Sequence, residues 1–142
     1  MDELARRLLR SGVVLILLSL LIGLAIPGLT VPRLGVAAHV NGVVGGLALI
    51  VLGLLWPHLD LGPRARGAAF WLGVYSFFVA TIMPLLGAVW GAGASMLPIA
   101  AGTARGTPAQ EAILSAGLIT AGVSVFVLFV LLFVGLRGAA RR

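Results

Sequence analysis

The stretch GVAAHVNGVVGG, residues 35–46, runs without interruption into LALIVLGLLW, residues 47–56. From residue 34 to residue 57 there is no Asp, Glu, Lys or Arg. About 20 predominantly apolar residues are enough to cross the hydrocarbon of a bilayer as a helix, so this segment is expected to span a membrane. Its opening turn carries two polar side chains, His39 and Asn41, followed by glycines at 42, 45, 46 and 53. An imidazole inside an apolar span costs free energy unless it is paired or used, which makes His39 the residue to explain.

The rest of the chain supports a membrane setting. Of 142 residues, 61% are hydrophobic and 10% charged, against about 25% charged in an ordinary soluble domain. Mean hydropathy is +1.17. The net charge of +6 is carried by arginines at segment ends, with no basic helix face and no interleaved aromatics, so nucleic acid is not an expected partner. There is no Cys and no Lys. Disulfides, thiolate metal sites and lysine-based covalent catalysis are therefore excluded.

Three further uncharged runs are long enough to cross: 11–32, 67–104 and 112–136. The expected fold class is all-α, an integral membrane bundle of four transmembrane helices at about 11–30, 36–56, 68–92 and 109–136. Breaks between them are marked by PGLTVP (27–32) and WPHLDLGPRARG (56–67). The last helix opens with Thr107 as N-cap, Pro108 at its first position and Gln110 completing a capping box. The Gly-rich segment before it, VWGAGASMLPIAAGTARG (89–106), is expected to lie over one end of the bundle. Arg6, Arg7, Arg10, Arg64, Arg66, Arg137, Arg141 and Arg142 fall on one side, and only Arg33 and Arg105 on the other. The positive-inside rule then places both termini in the cytoplasm, as for a multi-pass protein of the bacterial inner membrane. Trp56, Trp71 and Trp90 lie near span ends, where interfacial aromatics are expected.

Within the spans the ionisable inventory is His39 and Tyr75. No carboxylate pair, Ser-His-Asp set or phosphate-cradling loop is available. On the second helix His39, Gly46 and Gly53 share a stripe at seven-residue spacing, with Gly42 between the first two. Two readings stay open. In one, Gly42 and Gly46 form a GxxxG contact with another helix while His39 bonds a carbonyl. In the other, a flat cofactor lies along the smooth stripe with His39 on its metal, and haem iron takes such a neutral imidazole. His58 is the second His, 19 residues away and thus about 28 Å along a helix, so one chain cannot clamp one iron with both.

The runs PRLGVAAHVNGVVGG (32–46), GPRARGAAFWLGVYSFF (62–78) and GAVWGAGASMLPIAAGTARGTPAQEAIL (87–114) resemble the hydroxylaminobenzene mutase family, which is related to the membrane-bound styrene oxide isomerases. The resemblance covers nearly all of the chain after residue 12. It implies a homotrimer in the lipid bilayer with haem b between subunits and His39 as the iron ligand. The open face of the iron would act as a Lewis acid in a redox-neutral rearrangement of a small apolar aromatic substrate. That is an aryl hydroxylamine to an aminophenol, or an epoxide to an aldehyde. Metal polarisation of an N–O or C–O bond needs no protein carboxylate, in keeping with the inventory above. The chain departs from the pattern at Gly45, where a substrate-orienting Asn stands in the family, and at Phe78, where a Tyr does. Tyr75 and Asn41 remain as candidate catalytic contacts, with Gly42 and Gly46 as the cofactor-facing glycines. A haem protein without isomerase activity, serving storage, sensing or electron transfer, is the alternative expectation.

Overall fold

The computed structural model describes residues 2–138, and Arg141 and Arg142, counted in the charge bias, lie outside them. Helix starts follow local chemistry. Helix α1, Glu3–Ala25, is capped by the Asp2 carboxylate, which accepts a hydrogen bond from the Leu4 N–H at 2.9 Å. Helices α2 (Pro32–Leu55), α3 (Pro63–Trp90), the single-turn α4 (Pro98–Ala101) and α5 (Pro108–Gly138) each begin on proline, whose missing N–H costs nothing in a first turn. Proline also ends α1 and α2, through short 3₁₀ turns at Ile26–Gly28 and Trp56–His58. Helix α3 stops at Gly91, whose φ of 69° is left-handed and favours glycine. The expected capping box is present: the Thr107 N–H donates to Gln110 Oε1 at 2.8 Å, and the Gln110 N–H to Thr107 Oγ1 at 3.3 Å.

The four long helices are each long and apolar enough to cross a membrane, and no strand occurs among the described residues. Helix α1 starts at Glu3 rather than near residue 11. An Asp cap and a Glu3–Arg7 ion pair at 2.8 Å carry the helix through its charged first turns. The chain runs up and down: α1 packs on α2, α2 on α3 and α3 on α5. Helix α1 also touches α3, and side chains of all four long helices meet in one core around Leu8, Leu52, Phe70 and Leu128. Asp2 bonds Arg66 at 2.6 Å and the Asp60 N–H donates to the Gly135 carbonyl, which puts the start of α1 and the end of α5 at the same end. Arg6, Arg7, Arg10, Arg64, Arg66 and Arg137 share that end.

The α1–α2 contact is made backbone to backbone. A Cβ built on Gly12 would lie 2.5 Å from the Gly46 carbonyl oxygen, and one on Gly46 would lie 2.7 Å from that of Gly12. Small residues permit this approach, and in a bilayer close packing supplies what the hydrophobic effect cannot. Outward-facing Leu, Val and Phe side chains on the four long helices stay exposed, among them Leu24, Val44, Val89 and Phe126, as expected for surfaces that meet lipid or another copy.

Trp56 corrects the interfacial assignment. It is fully buried against Leu8, Leu52 and Phe70, with the Arg66 guanidinium 5.5 Å from its ring centre, because the 3₁₀ turn after α2 folds it inward. Its Nε1 has no hydrogen-bond partner. Trp71 stays exposed and Trp90 half-buried.

At the opposite end residues 91–107 cover α2 and α3, with Leu97 and Ala101 packed on Val31, Leu34 and Ala88. One carboxylate holds this loop. Glu111 accepts from the N–H groups of Gly93 (2.9 Å), Ala94 (3.2 Å), Ser95 (3.1 Å) and Gly106 (3.1 Å). Glu111→Gln should loosen the loop, because its amide would set an N–H donor against one of these four donors. Trypsin is expected to cleave after Arg105 on the order of tenfold faster in the variant, the factor that one lost charge-assisted bond supplies. Equal cleavage rates would show that Glu111 does not hold the loop.

Candidate functional site

His39 sits in the second turn of α2, half-buried, and faces α1. Its Nδ1 lies 2.8 Å from the Ser19 carbonyl oxygen and 3.4 Å from Ser19 Oγ. A carbonyl only accepts, so Nδ1 carries a proton, which in the neutral ring leaves the lone pair on Nε2. Ser19 Oγ in turn donates to the His39 carbonyl, closing a reciprocal clasp between α1 and α2. Gly23, one turn further along α1, also abuts the ring: a Cβ there would lie 2.8 Å from Nδ1 and 3.0 Å from Cε1. Among the described residues Nε2 has no hydrogen-bond partner, and it is not among the sealed unpaired atoms of this half-buried side chain. An imidazole with one nitrogen fixed to a carbonyl and the other free is the arrangement that metal-ligating histidines use.

Gly42 and Gly46 do not present an open surface. A Cβ on Gly42 would meet Ser19 Cβ at 2.7 Å and Thr81 Cγ2 at 3.1 Å, and one on Gly46 would meet Ile16 Cγ1 at 2.5 Å. The stripe is therefore filled by α1, and these glycines are helix-contact positions, leaving no room along them for a flat ligand. The cause is the matching row of Gly12, Ser19 and Gly23 on α1, whose small side chains let the two backbones close.

Asn41 points to a different neighbour. Its Nδ2 donates to the Ala80 carbonyl at 3.0 Å. Pro84 lies inside α3 and has no N–H, so the carbonyl four residues before it, Ala80, loses its helical partner. Asn41 restores that bond from α2, a repair that a bilayer makes necessary. Tyr75 is turned elsewhere again. It is exposed, and its hydroxyl bonds Thr120 Oγ1 at 2.7 Å. Thr120 Oγ1 also lies 2.8 Å from the Ala116 carbonyl and 3.1 Å from that of Gly117, so the Tyr75 hydroxyl is tied into a network across α3–α5. Ser76 and Thr81 likewise bond back to their own helix, at the Gly73 and Phe77 carbonyls.

Within one chain, then, His39, Asn41 and Tyr75 do not converge. His39 lies against α1, while Asn41 lines a cleft between α2, α3 and α5, together with Gly45, Ser76 and Phe77. Tyr75 is not part of that cleft. His58 is exposed in the 3₁₀ turn at the other end of α2. No group of three or more His, Cys, Asp or Glu side chains that could hold a metal by themselves occurs among the described residues. Two positions escaped the sequence reading, Glu111 and Pro84. Both carried a signal: an acid in the first turn of a helix after a glycine-rich loop, and a proline within an apolar span that must find a partner for the carbonyl it frees.

These features define a class: a membrane protein of four long apolar helices with one half-buried imidazole, His39, clasped by Ser19 of the neighbouring helix. Residues 4–137 match the styrene oxide isomerase family. The chain is 46% identical over 139 residues to the hydroxylaminobenzene mutase HabB of Ectopseudomonas oleovorans, covering 98% of this chain and 85% of that one. It is 41% identical over 129 residues to the mutase HabA of the same organism, covering 91% and 96%. Among solved structures nothing matches. The chain belongs to the styrene oxide isomerase family.

Proposed function

We propose that this protein is a haem b-dependent membrane isomerase that converts an aryl hydroxylamine to an aminophenol. Family membership makes it an isomerase. The observation that carries the haem reading is His39, held at Nδ1 by Ser19 and free at Nε2. One imidazole binds a catalytic metal firmly only when the other ligands come from elsewhere, and a porphyrin supplies four of them. When bound, haem would supply a Lewis-acidic iron that polarises the N–O bond. The chain's own residues would orient the ligand: the Ser19 carbonyl accepts from Nδ1–H and so directs Nε2 toward a metal. The rearrangement moves the hydroxyl from nitrogen to a ring carbon and returns that carbon's proton to nitrogen, so no oxidant or reductant is consumed.

His39 and the cleft lined by Asn41 lie on different faces of α2, and the α1–α2 stripe is closed. With that stripe closed, one chain offers His39 no pocket for a macrocycle, and other copies would have to supply its remaining walls, which suits a homotrimer with haem between subunits. The arginine-rich end that holds both termini is assigned to the cytoplasm, in the inner membrane of a bacterium. Substrate and product are small, aromatic and lipid-soluble. The test is direct: purified protein should carry a Soret band and convert phenylhydroxylamine to aminophenol without added redox partner. A colourless protein would overturn the haem reading. A haem-loaded protein that leaves phenylhydroxylamine unchanged but isomerises styrene oxide would overturn the substrate assignment.

A further inference from the structure

The chain has four acidic residues. Asp2, Glu3 and Asp60 lie at the arginine-rich end, where Asp2 pairs with Arg66 and Glu3 with Arg7. Glu111 is the acid at the opposite end, and its two oxygens are committed to four backbone N–H groups. Two arginines share that end with it. Arg105 donates to the Gly102 and Ala104 carbonyls at 2.9 and 2.8 Å. Arg33, in the first turn of α2, is exposed, and its guanidinium has no hydrogen bond or ion pair among the described residues. It is a cation without a counter-ion, at the membrane end where basic residues are sparse.

Beside Arg33 the loop over α2 and α3 turns an apolar face outward. Leu97 and Ala101 pack inward on Val31, Leu34 and Ala88, which leaves Met96 and Ile99 outside, Ile99 91% exposed. With Arg33 these side chains line an open groove of about 530 Å³, in which the guanidinium is the one charged group. Because Leu97 packs on the residues that begin α2, the groove is level with the start of that helix's uncharged span. This is the depth at which hydrocarbon gives way to headgroups. Val36 and Val40 follow Arg33 by three and seven residues, so they continue its face of α2 toward the membrane interior, and both are about half exposed.

We propose that Arg33 and this groove bind an anionic phospholipid. The guanidinium takes the phosphodiester, which it suits through parallel N–H bonds. Met96 and Ile99 cover the upper part of an acyl chain, and Val36 and Val40 carry it downward. An anionic headgroup is preferred to a zwitterionic one because, with Glu111 spent, no carboxylate at this end is left to receive an ammonium. Free phosphate would satisfy Arg33 and leave the apolar groove unused. The site is independent of haem and of the reaction.

The chain has no Cys, so Ile99→Cys gives a single attachment point for a bimane fluorophore at the groove. The labelled full chain is placed in mixed vesicles of phosphatidylglycerol and phosphatidylcholine, with brominated chains on one lipid or the other. Bromine quenches on contact, so the two mixtures report which lipid occupies the groove. Both lipids should quench, with phosphatidylglycerol associating about fivefold more strongly, the factor for one basic residue near an anionic headgroup. Arg33→Gln should bring that ratio to unity, while Arg33→Lys keeps part of it and Arg105→Gln leaves it unchanged. Excess inorganic phosphate, compared with chloride at equal ionic strength, should also leave it unchanged. Equal association of the two lipids, or a preference that survives Arg33→Gln, would overturn the proposal. So would loss of the preference in phosphate, which would assign Arg33 to a free anion. Absence of quenching by either lipid would overturn it too: aqueous iodide reaching the label would then mean a groove open to water, and a shielded label would mean that another copy covers it.

Discussion

His39→Ala should give a protein that folds, inserts and has no haem absorbance. No other imidazole is within reach: His58 lies at the far end of the same helix, in an exposed 3₁₀ turn. The loss of Soret intensity should be essentially complete, and isomerase activity should fall with it to the uncatalysed rate. Folding is spared because the α1–α2 contact rests on Gly12, Gly42 and Gly46, and because Ser19 Oγ bonds the His39 carbonyl, which the variant keeps. Gly23→Ala gives a graded form of the same result. Its methyl group would sit 2.8 Å from Nδ1, which forces the ring off the Ser19 carbonyl while leaving the ligand in place. That variant should retain haem but with a weakened iron–imidazole bond, visible as a lowered iron–histidine stretching frequency in resonance Raman of the reduced protein. Gly28→Ala, where nothing lies within 4 Å of the added methyl, is the control and should match wild type. A full Soret band in His39→Ala would show that the iron is held elsewhere.

Much of the architecture could be read from the sequence because membrane helices obey few rules. Charge-free length, proline at helix starts and a Thr107–Gln110 capping box are local signals, and local signals survive into the structure. The parts that escaped are those that depend on which helix meets which. The glycine stripe on α2 is visible at 42, 46 and 53, but whether a helix or a flat ligand covers it is decided by the complementary Gly12, Ser19 and Gly23 on α1. Asn41 was legible as a polar side chain inside a span. Its partner was not, since the free carbonyl at Ala80 follows from Pro84 on another helix. Trp56 misled for a similar reason: its position near a span end is interfacial by sequence, and only the fold of the turn brings it inside.

The α1–α2 contact yields the second large effect. Gly46→Leu should abolish the native packing of α1 on α2 while leaving helix content nearly unchanged. The added Cβ would lie 2.5 Å from Ile16 Cγ1, 2.7 Å from the Gly12 carbonyl oxygen and 3.2 Å from the Ile16 backbone nitrogen. Ile16 can change rotamer, but backbone atoms cannot step aside unless the helices separate. Overpacking of a tight contact costs about 1–3 kcal/mol and more when backbone must move. In a bilayer, lipid competes on equal terms for apolar surface, so an interface that loses its close approach has little else to hold it. Each helix, by contrast, satisfies its own backbone and stays helical. Circular dichroism should therefore match wild type within error, while size-exclusion profiles in mild detergent lose the native peak and the Soret band is lost with it. Gly46→Ala should show a milder form of the same defect, and Gly122→Leu, whose added Cβ meets no atom within 4 Å, none. Should Gly46→Leu elute as wild type with its haem, α1 cannot lie on α2 as the structure places it. The clasp between Ser19 and His39, and with it the free Nε2 on which the haem reading stands, would then have to be abandoned as well.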